Sequence, residues 1–200
     1  ELYDVSLGLR WFKPIDDAWA VNMAIDGAFA SDAHNKSGDA WQLRGSLFGI
    51  YTSDRQTKWM VGAIATGRED IPVLPAAGVV WQPTGDCQID LILPRPRISY
   101  LVHDGGDRLQ WVYVGGSITG GMWAFQRPGG VNDRLNYSEW RAVLGWESKP
   151  PANPPGVSGP TGIRFGAEIG YVFGRRFEFD SGAPDIEPDG TVLLRATVSR

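Results

Sequence analysis

Ten charged residues have one feature in common: each lies on the polar side of a stretch in which polar and apolar side chains alternate. Because successive side chains of a β-strand point to opposite faces, we expect all ten on one face of a sheet. Such a face can consist of ion pairs that fill a narrow barrel, or it can line a water-filled passage and tune its choice of solute. These candidate lumen-lining residues are Arg10, Asp26, Arg44, Asp90, Glu139, Arg141, Arg164, Glu168, Glu178 and Arg195.

Few residues are candidates for enzymatic chemistry. A hydrolase at the rim of a barrel needs a histidine near a serine or near paired carboxylates, and the sequence contains only His34 and His103. His34 lies in a polar segment near Asp32, and His103 precedes Asp104 and Asp107. Solvated loops explain both histidines, so we expect no catalytic residue and no enzymatic activity.

The sequence predicts no metal site and no cofactor. The turn from Asp104 to Asp107 lacks the ligand spacing and the terminal glutamate of a calcium loop. No phosphate-binding glycine loop, zinc-ligand spacing or nucleophile elbow occurs. The net charge is -4 and no basic run is present, which argues against nucleic acid as a partner.

Alternation of single residues predicts the elements that carry these side chains. It is clearest over residues 161–180, where apolar side chains alternate with glycines and charged groups. Similar patterns predict strands over residues 3–12, 19–30, 41–52, 58–67, 77–82, 87–93, 100–102, 108–125, 136–147 and 191–200. Residues 108–125 form one strand or two short ones, and proline-rich connections are expected over 68–75 and 149–160. No segment has a helical period, so the pattern predicts an all-β antiparallel meander of about ten strands.

Four aromatic residues are candidates for a lipid interface. Trp19 and Phe29 are ten residues apart on one predicted strand, and Trp41 and Tyr51 are ten apart on the next. Ten residues at about 3.3 Å each, tilted by about 40°, project to about 25 Å along a barrel axis, which matches an outer-membrane apolar band. Antiparallel pairing would then give two aromatic girdles. The alternative is that aromatic residues simply favour strands.

Membrane and soluble barrels assign the same residues to opposite sides. In a membrane barrel the charged face points inward and the aromatic face contacts lipid; in a soluble barrel the aromatic face is the core. A closed barrel of about ten strands has little room for large apolar side chains from every strand. The sequence therefore favours a membrane barrel. Its hydrophobic residues, 42% of the chain, are too dispersed for membrane-spanning helices.

Four segments carry a resemblance to a known family. They are residues 8–25 (GLRWFKPIDDAWAVNMAI), 68–81 (REDIPVLPAAGVVW), 94–100 (PRPRISY) and 168–185 (EIGYVFGRRFEFDSGAPD). Over nearly its whole length the chain resembles an uncharacterised bacterial outer-membrane β-barrel family, described only as a domain of unknown function. The resemblance implies an outer-membrane location and no known activity. Members carry more sequence ahead of the first segment.

These observations predict one domain, residues 1–200, that forms an antiparallel transmembrane β-barrel in the bacterial outer membrane. We expect that its N-terminal portion is missing and that the full-length barrel has up to twelve strands. The expected partners are membrane lipid and small solutes, and the expected role is structural or that of a narrow pore. Two alternatives remain: a soluble lipocalin-like barrel that binds an apolar ligand, and an outer-membrane hydrolase with its site at the rim.

Overall fold

The computed structural model describes residues 1–69, 71–151 and 162–199. Within them the chain forms eleven strands and one 3-10 helix, Gly38–Ala40. In chain order the strands are β1 (Tyr3–Pro14), β2 (Trp19–Ser31), β3 (Trp41–Thr52), β4 (Thr57–Ala65), β5 (Val73–Thr84), β6 (Cys87–Ile92), β7 (Arg97–Asp104), β8 (Leu109–Gln126), β9 (Asn132–Lys149), β10 (Arg164–Phe179) and β11 (Thr191–Ser199). No helix in this described part is long and apolar enough to cross a bilayer.

Each strand pairs antiparallel with the next strand in the chain, so the sheet is a meander. One further pairing, parallel between Ser31 of β2 and Ala124 of β8, closes β2–β8 into a seven-stranded barrel. β1 and β9–β11 extend the sheet beyond this ring. The prediction of an all-β antiparallel barrel is therefore confirmed, with eleven strands where about ten are predicted and with seven of them in the closed ring.

Most predicted strand positions agree with the structure, and the exceptions have physical reasons. The segment predicted over 108–125 forms the single strand β8, Leu109–Gln126. The connection predicted over 68–75 is shorter, because β5 begins at Val73 and includes Pro75. Pro75 pairs with Ala63 of β4, whereas β6 pairs with β5 only from Gly78 onward. Proline is tolerated where a strand has one neighbour. The predicted loop over 149–160 falls mostly outside the described residues, as do residues 161 and 200.

The sheet has two faces, which the register defines. The charged face carries Asp26 opposite Arg44 between β2 and β3, and the apolar face carries Met23 opposite Leu47. On β8–β10 the charged face carries Tyr113, Glu139 and Glu168, and the apolar face carries a row of aliphatic residues. One row of the apolar face runs through six consecutive strands, from Ile89 through Ile98, Val114, Leu144 and Ile169 to Leu194.

A β-bulge on β10 exchanges the two faces near the end of that strand. Phe173 pairs with Trp140 of β9, but the next pair joins Arg176 to Ser138, so β10 has one extra residue here. Gly174 has φ +55°, a backbone conformation that glycine adopts at low cost in bulges. The prediction that Glu178 shares a face with Glu168 is therefore wrong, because residues after the bulge point to the opposite side.

Large apolar side chains are mostly outside. Among the described residues, the buried hydrophobic residues larger than alanine or cysteine are Trp111, Tyr113, Met122, Leu135 and Val172. Forty large hydrophobic residues of the same part of the chain are exposed, and Leu7 on β1 and Leu194 on β11 are 86% and 76% exposed. The sheet therefore has no conventional apolar core, and its apolar face is open to the surroundings.

Glycine at position 62 permits the close approach of β3 and β4. A Cβ atom on Gly62 would overlap the carbonyl oxygen of Leu47 and would lie 2.8 Å from the ring of Phe48. We expect Gly62→Val to lower the free energy of unfolding by about 1–3 kcal/mol, because the strands must move apart. Denaturant unfolding in detergent, followed by tryptophan fluorescence, measures this change.

Gly27→Val is the matched control, since Gly27 also lies within a strand but an added Cβ meets nothing within 4 Å. We expect this variant to unfold at nearly the wild-type denaturant concentration. Equal midpoints for the two variants would contradict the close approach at Gly62.

Candidate functional site

One cavity has a volume of about 1420 Å³. Its lining comes from β1–β5, residues 92–95, the middle of β8 and β9, the end of β10 and residues 187–190. Four of the ten predicted lumen-lining residues line it: Arg10, Asp26, Arg44 and Glu178. The cavity is therefore bounded by the charged face of the first strands, and on the other side by Ile118 and Trp140 from the apolar face of β8 and β9.

Neighbouring strands position the charged residues on the β1–β3 side of the cavity. Asp26 lies opposite Gly8 on one side and Arg44 on the other. A Cβ on Gly8 would overlap the carboxylate of Asp26, so glycine at this position leaves room for that side chain. Arg44 donates hydrogen bonds to Gln42 and forms an ion pair with Asp4 at 2.8 Å. This ion pair fixes the guanidinium at the cavity wall.

The cavity lining also contains four arginines that the sequence pattern did not single out. Arg68 lies in the β4–β5 connection, and its Nη1 donates to the carbonyl oxygen of Tyr137 at 3.1 Å. Arg95 lies between β6 and β7. Arg175 and Arg176 lie at the β10 bulge, and Arg176 pairs with Glu187 at 2.8 Å. Alternation could not identify them, because two lie in connections and two lie where the register shifts.

One wall of the cavity is apolar, which was not predicted. Five large apolar residues lie on the charged face of β3–β6: Phe48, Met60, Ile64, Leu74 and Ile92. Gly62 lies between Met60 and Ile64 and directly opposite Phe48, so it makes room for that ring. In the alternating pattern of residues 41–52, Phe48 and Ile50 fall on the same side as Gln42 and Arg44. This is the feature of the sequence that could have indicated an apolar wall.

Glu139 and Arg141 contact each other but do not line the cavity. The side chain of Glu139 is 2% exposed and accepts from the hydroxyl of Tyr137, the guanidinium of Arg141 and the hydroxyl of Thr119. Arg175 is also close, with 3.4 Å between its Nε and Glu139 Oε2. A buried carboxylate needs such partners, since an unpaired charge would be costly.

Glu168 and Arg195 belong to a second network on β7–β11. They are register partners and form an ion pair, and Tyr113 donates its hydroxyl to Glu168 at 2.5 Å. The guanidinium of Arg97 lies 4.1 Å from the centre of the Tyr113 ring and donates two hydrogen bonds to Glu147, at 2.9 and 3.1 Å. Here paired charges fill the space along the charged face.

The last two predicted lumen residues lie away from the cavity lining. Asp90 accepts from Gln88 at 2.8 Å and lies opposite Arg97 in the β6–β7 ladder. Arg164 is exposed at the start of β10. The ten residues are thus divided among the cavity, two paired networks and isolated positions on the sheet.

The four aromatic residues pair as their spacing suggested. Trp19 lies opposite Tyr51 with ring centres 4.9 Å apart, and Phe29 lies opposite Trp41 with ring centres 5.1 Å apart. Trp41 is 68% exposed, whereas Phe29 is half-buried. On β9 the exposed tryptophans, Trp140 and Trp146, are only six residues apart, so the ten-residue spacing does not extend around the sheet.

Neither histidine is part of a nucleophilic arrangement. The Nδ1 atom of His34 lies 3.1 Å from the carbonyl oxygen of Asp32 and 3.9 Å from its carboxylate, at an exposed position. His103 is exposed near the end of β7. Among the described residues no hydrogen bond joins either histidine to a serine, and no group of three or more candidate ligands could hold a metal ion.

The seam that closes the barrel consists mainly of side-chain and loop contacts. Beyond the single Ser31–Ala124 bridge, the backbone N–H of Asp32 donates to Ala124 at 3.2 Å, and Gln42 Nε2 donates to the carbonyl oxygen of Met122 at 2.7 Å. The Asp32 carboxylate accepts from the backbone N–H of Gln126 at 2.9 Å. The seam therefore depends on a few polar groups instead of a full strand ladder.

The pKa of Asp32 is set by these contacts. Burial acts to raise the pKa of this carboxyl, but hydrogen bonds from the backbone N–H groups of Asn35, Gln126 and His34 hold it below its ordinary value. The carboxylate therefore stabilises the fold at pH values above its unfolded pKa of about 4. This contribution is lost as the pH falls through the lower pKa of the folded state.

Asp32→Asn tests the seam. The substitution places an amide donor against the N–H of Gln126, so we expect a loss of about 1 kcal/mol of folding free energy at pH 7. We expect the difference in folding free energy between this variant and the wild type to become smaller below about pH 4, where the wild-type carboxyl becomes protonated. Denaturant unfolding at a series of pH values measures both effects.

Asp17→Asn is the control, because Asp17 is exposed in the β1–β2 turn and makes no hydrogen bond or ion pair with the described residues. Its unfolding should follow the wild type at every pH. If the folding free energy of Asp32→Asn depends on pH in the same way as that of the wild type, a role for this carboxylate in closing the barrel is contradicted.

The family model described as Domain of unknown function (DUF6268) matches residues 1–122. These residues include β1–β7 and most of β8, and they contain three of the four segments on which the resemblance was based, those at 8–25, 68–81 and 94–100. The fourth, at 168–185, lies outside the match. No curated protein and no solved structure matches the chain. Since the match covers more than half of the 200 residues, this chain belongs to the family of the domain of unknown function DUF6268.

Proposed function

We propose that this chain is a β-barrel protein of the bacterial outer membrane, with lipid against its apolar face and a structural or narrow-pore role for its interior. The observation that carries the proposal is the exposure of the apolar face. The row from Ile89 to Leu194 crosses six strands, and forty large hydrophobic residues of the described chain are exposed.

The size of this exposed surface favours lipid over water. Covering a leucine- or valine-sized side chain is worth about 1.5–3 kcal/mol. Contiguous apolar patches on soluble monomers rarely exceed a few hundred Å². A face on which residues such as Leu144 and Ile169 are more than half exposed would promote aggregation in water, whereas acyl chains would cover it.

The lipocalin-like alternative has one supporting observation, the apolar wall of Phe48, Met60, Ile64, Leu74 and Ile92 inside the cavity. That alternative needs the aromatic face inside the barrel, and the exposed positions of Trp41 and Trp59 argue against it. The rim hydrolase has no comparable support, since neither His34 nor His103 contacts a nucleophile in the described residues.

A charge on the apolar face tests the membrane proposal. Leu47 and Ile169 are 54% and 52% exposed on β3 and β10, so Leu47→Arg and Ile169→Arg would each place a guanidinium against acyl chains. We expect a cost of about 2–4 kcal/mol near the bilayer midplane. Both variants should be depleted from the outer-membrane fraction and should lose heat-modifiable migration on gels.

Ile15→Arg makes the same chemical change at an exposed position in the β1–β2 turn, and we expect it to assemble normally. If all three variants assemble as the wild type does, the apolar face does not contact lipid and the membrane proposal fails.

An open interior is tested by a pair of arginine variants. Arg44 lines the cavity and Arg164 does not, so charge selectivity in a pore depends on the first and not on the second. We expect Arg44→Ala to shift the reversal potential in a salt gradient across a planar bilayer. We expect Arg164→Ala to leave it unchanged. A wild-type protein that inserts but conducts no current would favour the structural role.

A further inference from the structure

The apolar wall of the cavity is one contiguous surface. The strand ladders place Ile64 of β4 opposite Leu74 of β5, and they place Phe48 of β3 opposite the residue between Ile64 and Met60. Ile92 extends this surface onto β6. Passages that conduct water and ions through barrels have polar interiors, so the passage of small ions does not explain an apolar wall on the charged face.

The apolar wall has the dimensions of a small-molecule site. It runs along β4 from Met60 to Ile64, about 13 Å, and it crosses four strands from β3 to β6, about 14 Å. Its five side chains line the cavity and are half-buried. On the other side of the cavity the register partners Ile118 and Trp140 add further apolar surface. An apolar solute between these surfaces would cover side chains that otherwise face water.

The charged groups of the lining do not favour an ionic solute. Arg68 donates to the carbonyl oxygen of Tyr137. Three other arginines form ion pairs: Arg44 with Asp4 at 2.8 Å, Arg175 with Glu139 at 3.4 Å and Arg176 with Glu187 at 2.8 Å. The lining residues without an ion pair to any described residue balance in charge: Arg10 and Arg95 against Asp26 and Asp189. The apolar wall is therefore the feature of the cavity that can select a solute.

We propose that the cavity binds an uncharged small molecule with an apolar body, of the class of the medium-chain alcohols, which lies on the apolar wall. This inference rests on the proposed function and names the class of solute for the interior of the barrel. A charged molecule of the same size is disfavoured, because its charge would lose water on this wall without gaining a partner. The cavity volume of about 1420 Å³ exceeds that of common small-molecule pockets, about 300–1,000 Å³, so the solute fits with water beside it.

Equilibrium dialysis of radiolabelled octanol tests the proposal, with the folded protein in amphipol and protein-free amphipol as the blank. We expect saturable binding above the blank. Butanol, hexanol and octanol should displace the label with affinities that rise about three- to fourfold per methylene group. Octanoate and octylammonium should both compete at least about tenfold more weakly than octanol, because each carries a charge. Uptake equal to the blank, no gain with chain length, or equal competition by either charged analogue would overturn the proposal.

Leu74→Asn tests the position of the apolar body. The substitution places an amide on the apolar wall, so we expect octanol to bind at least about fivefold more weakly. Val80→Asn is the matched control, since Val80 lies on the same face of β5 and is also half-buried, but it does not line the cavity. Its affinity should equal that of the wild type. Equal affinities of the two folded variants would place the alcohol elsewhere and overturn the proposal. Heat-modifiable migration confirms that each variant is folded.

The chain-length and charge series use the wild-type protein, so they decide the proposal even if Leu74→Asn fails to fold. Their outcomes do not affect the membrane proposal, which fails only if Leu47→Arg and Ile169→Arg assemble normally. A failure of octanol binding in a protein that assembles in the membrane thus rejects the solute class alone.

Discussion

The antiparallel backbone ladder is the constraint on which the rest of this structure depends. Ten successive antiparallel pairings fix which residues lie opposite one another, and the two-residue period of a strand then fixes which side chains share a face. A row that begins at Ile89 therefore reaches Leu194, five strands further on, without leaving the apolar face. For the same reason Asp26 lies opposite Arg44 and Glu168 lies opposite Arg195 in the ladders.

This constraint explains how much the sequence could predict. Strand type, strand order and the pairing of Trp19 with Tyr51 follow from alternation and short turns. The face of Glu178 does not follow, because one extra residue near Gly174 reverses the faces, and alternation beyond the bulge resembles alternation before it. Arg68 and Arg95 lie in connections, where no period exists, and the closing contact of Ser31 with Ala124 joins residues far apart in the chain.

The interior differs from the mixed-charge lumen that the polar face suggested. Where charges lie close together, as at Glu139 and Glu168, they pair and fill the space, since a buried charge without a partner is costly. Where the charged face carries Phe48 and Leu74 instead, space remains and forms the cavity. The pattern of polar and apolar residues places both regions on one face. It does not distinguish a paired network from an open volume, because that difference depends on which strands lie close to one another.

Placing this sheet in a bilayer adds a requirement of its own. Within the described residues β1 pairs only with β2, and β11 pairs only with β10. Unpaired backbone groups at a sheet edge are not tolerated in hydrocarbon, so in the proposed setting both edges must gain a partner strand. In a meander of eleven strands the first and the last run in the same direction, so both edges offer their backbone groups to an antiparallel neighbour of the same orientation.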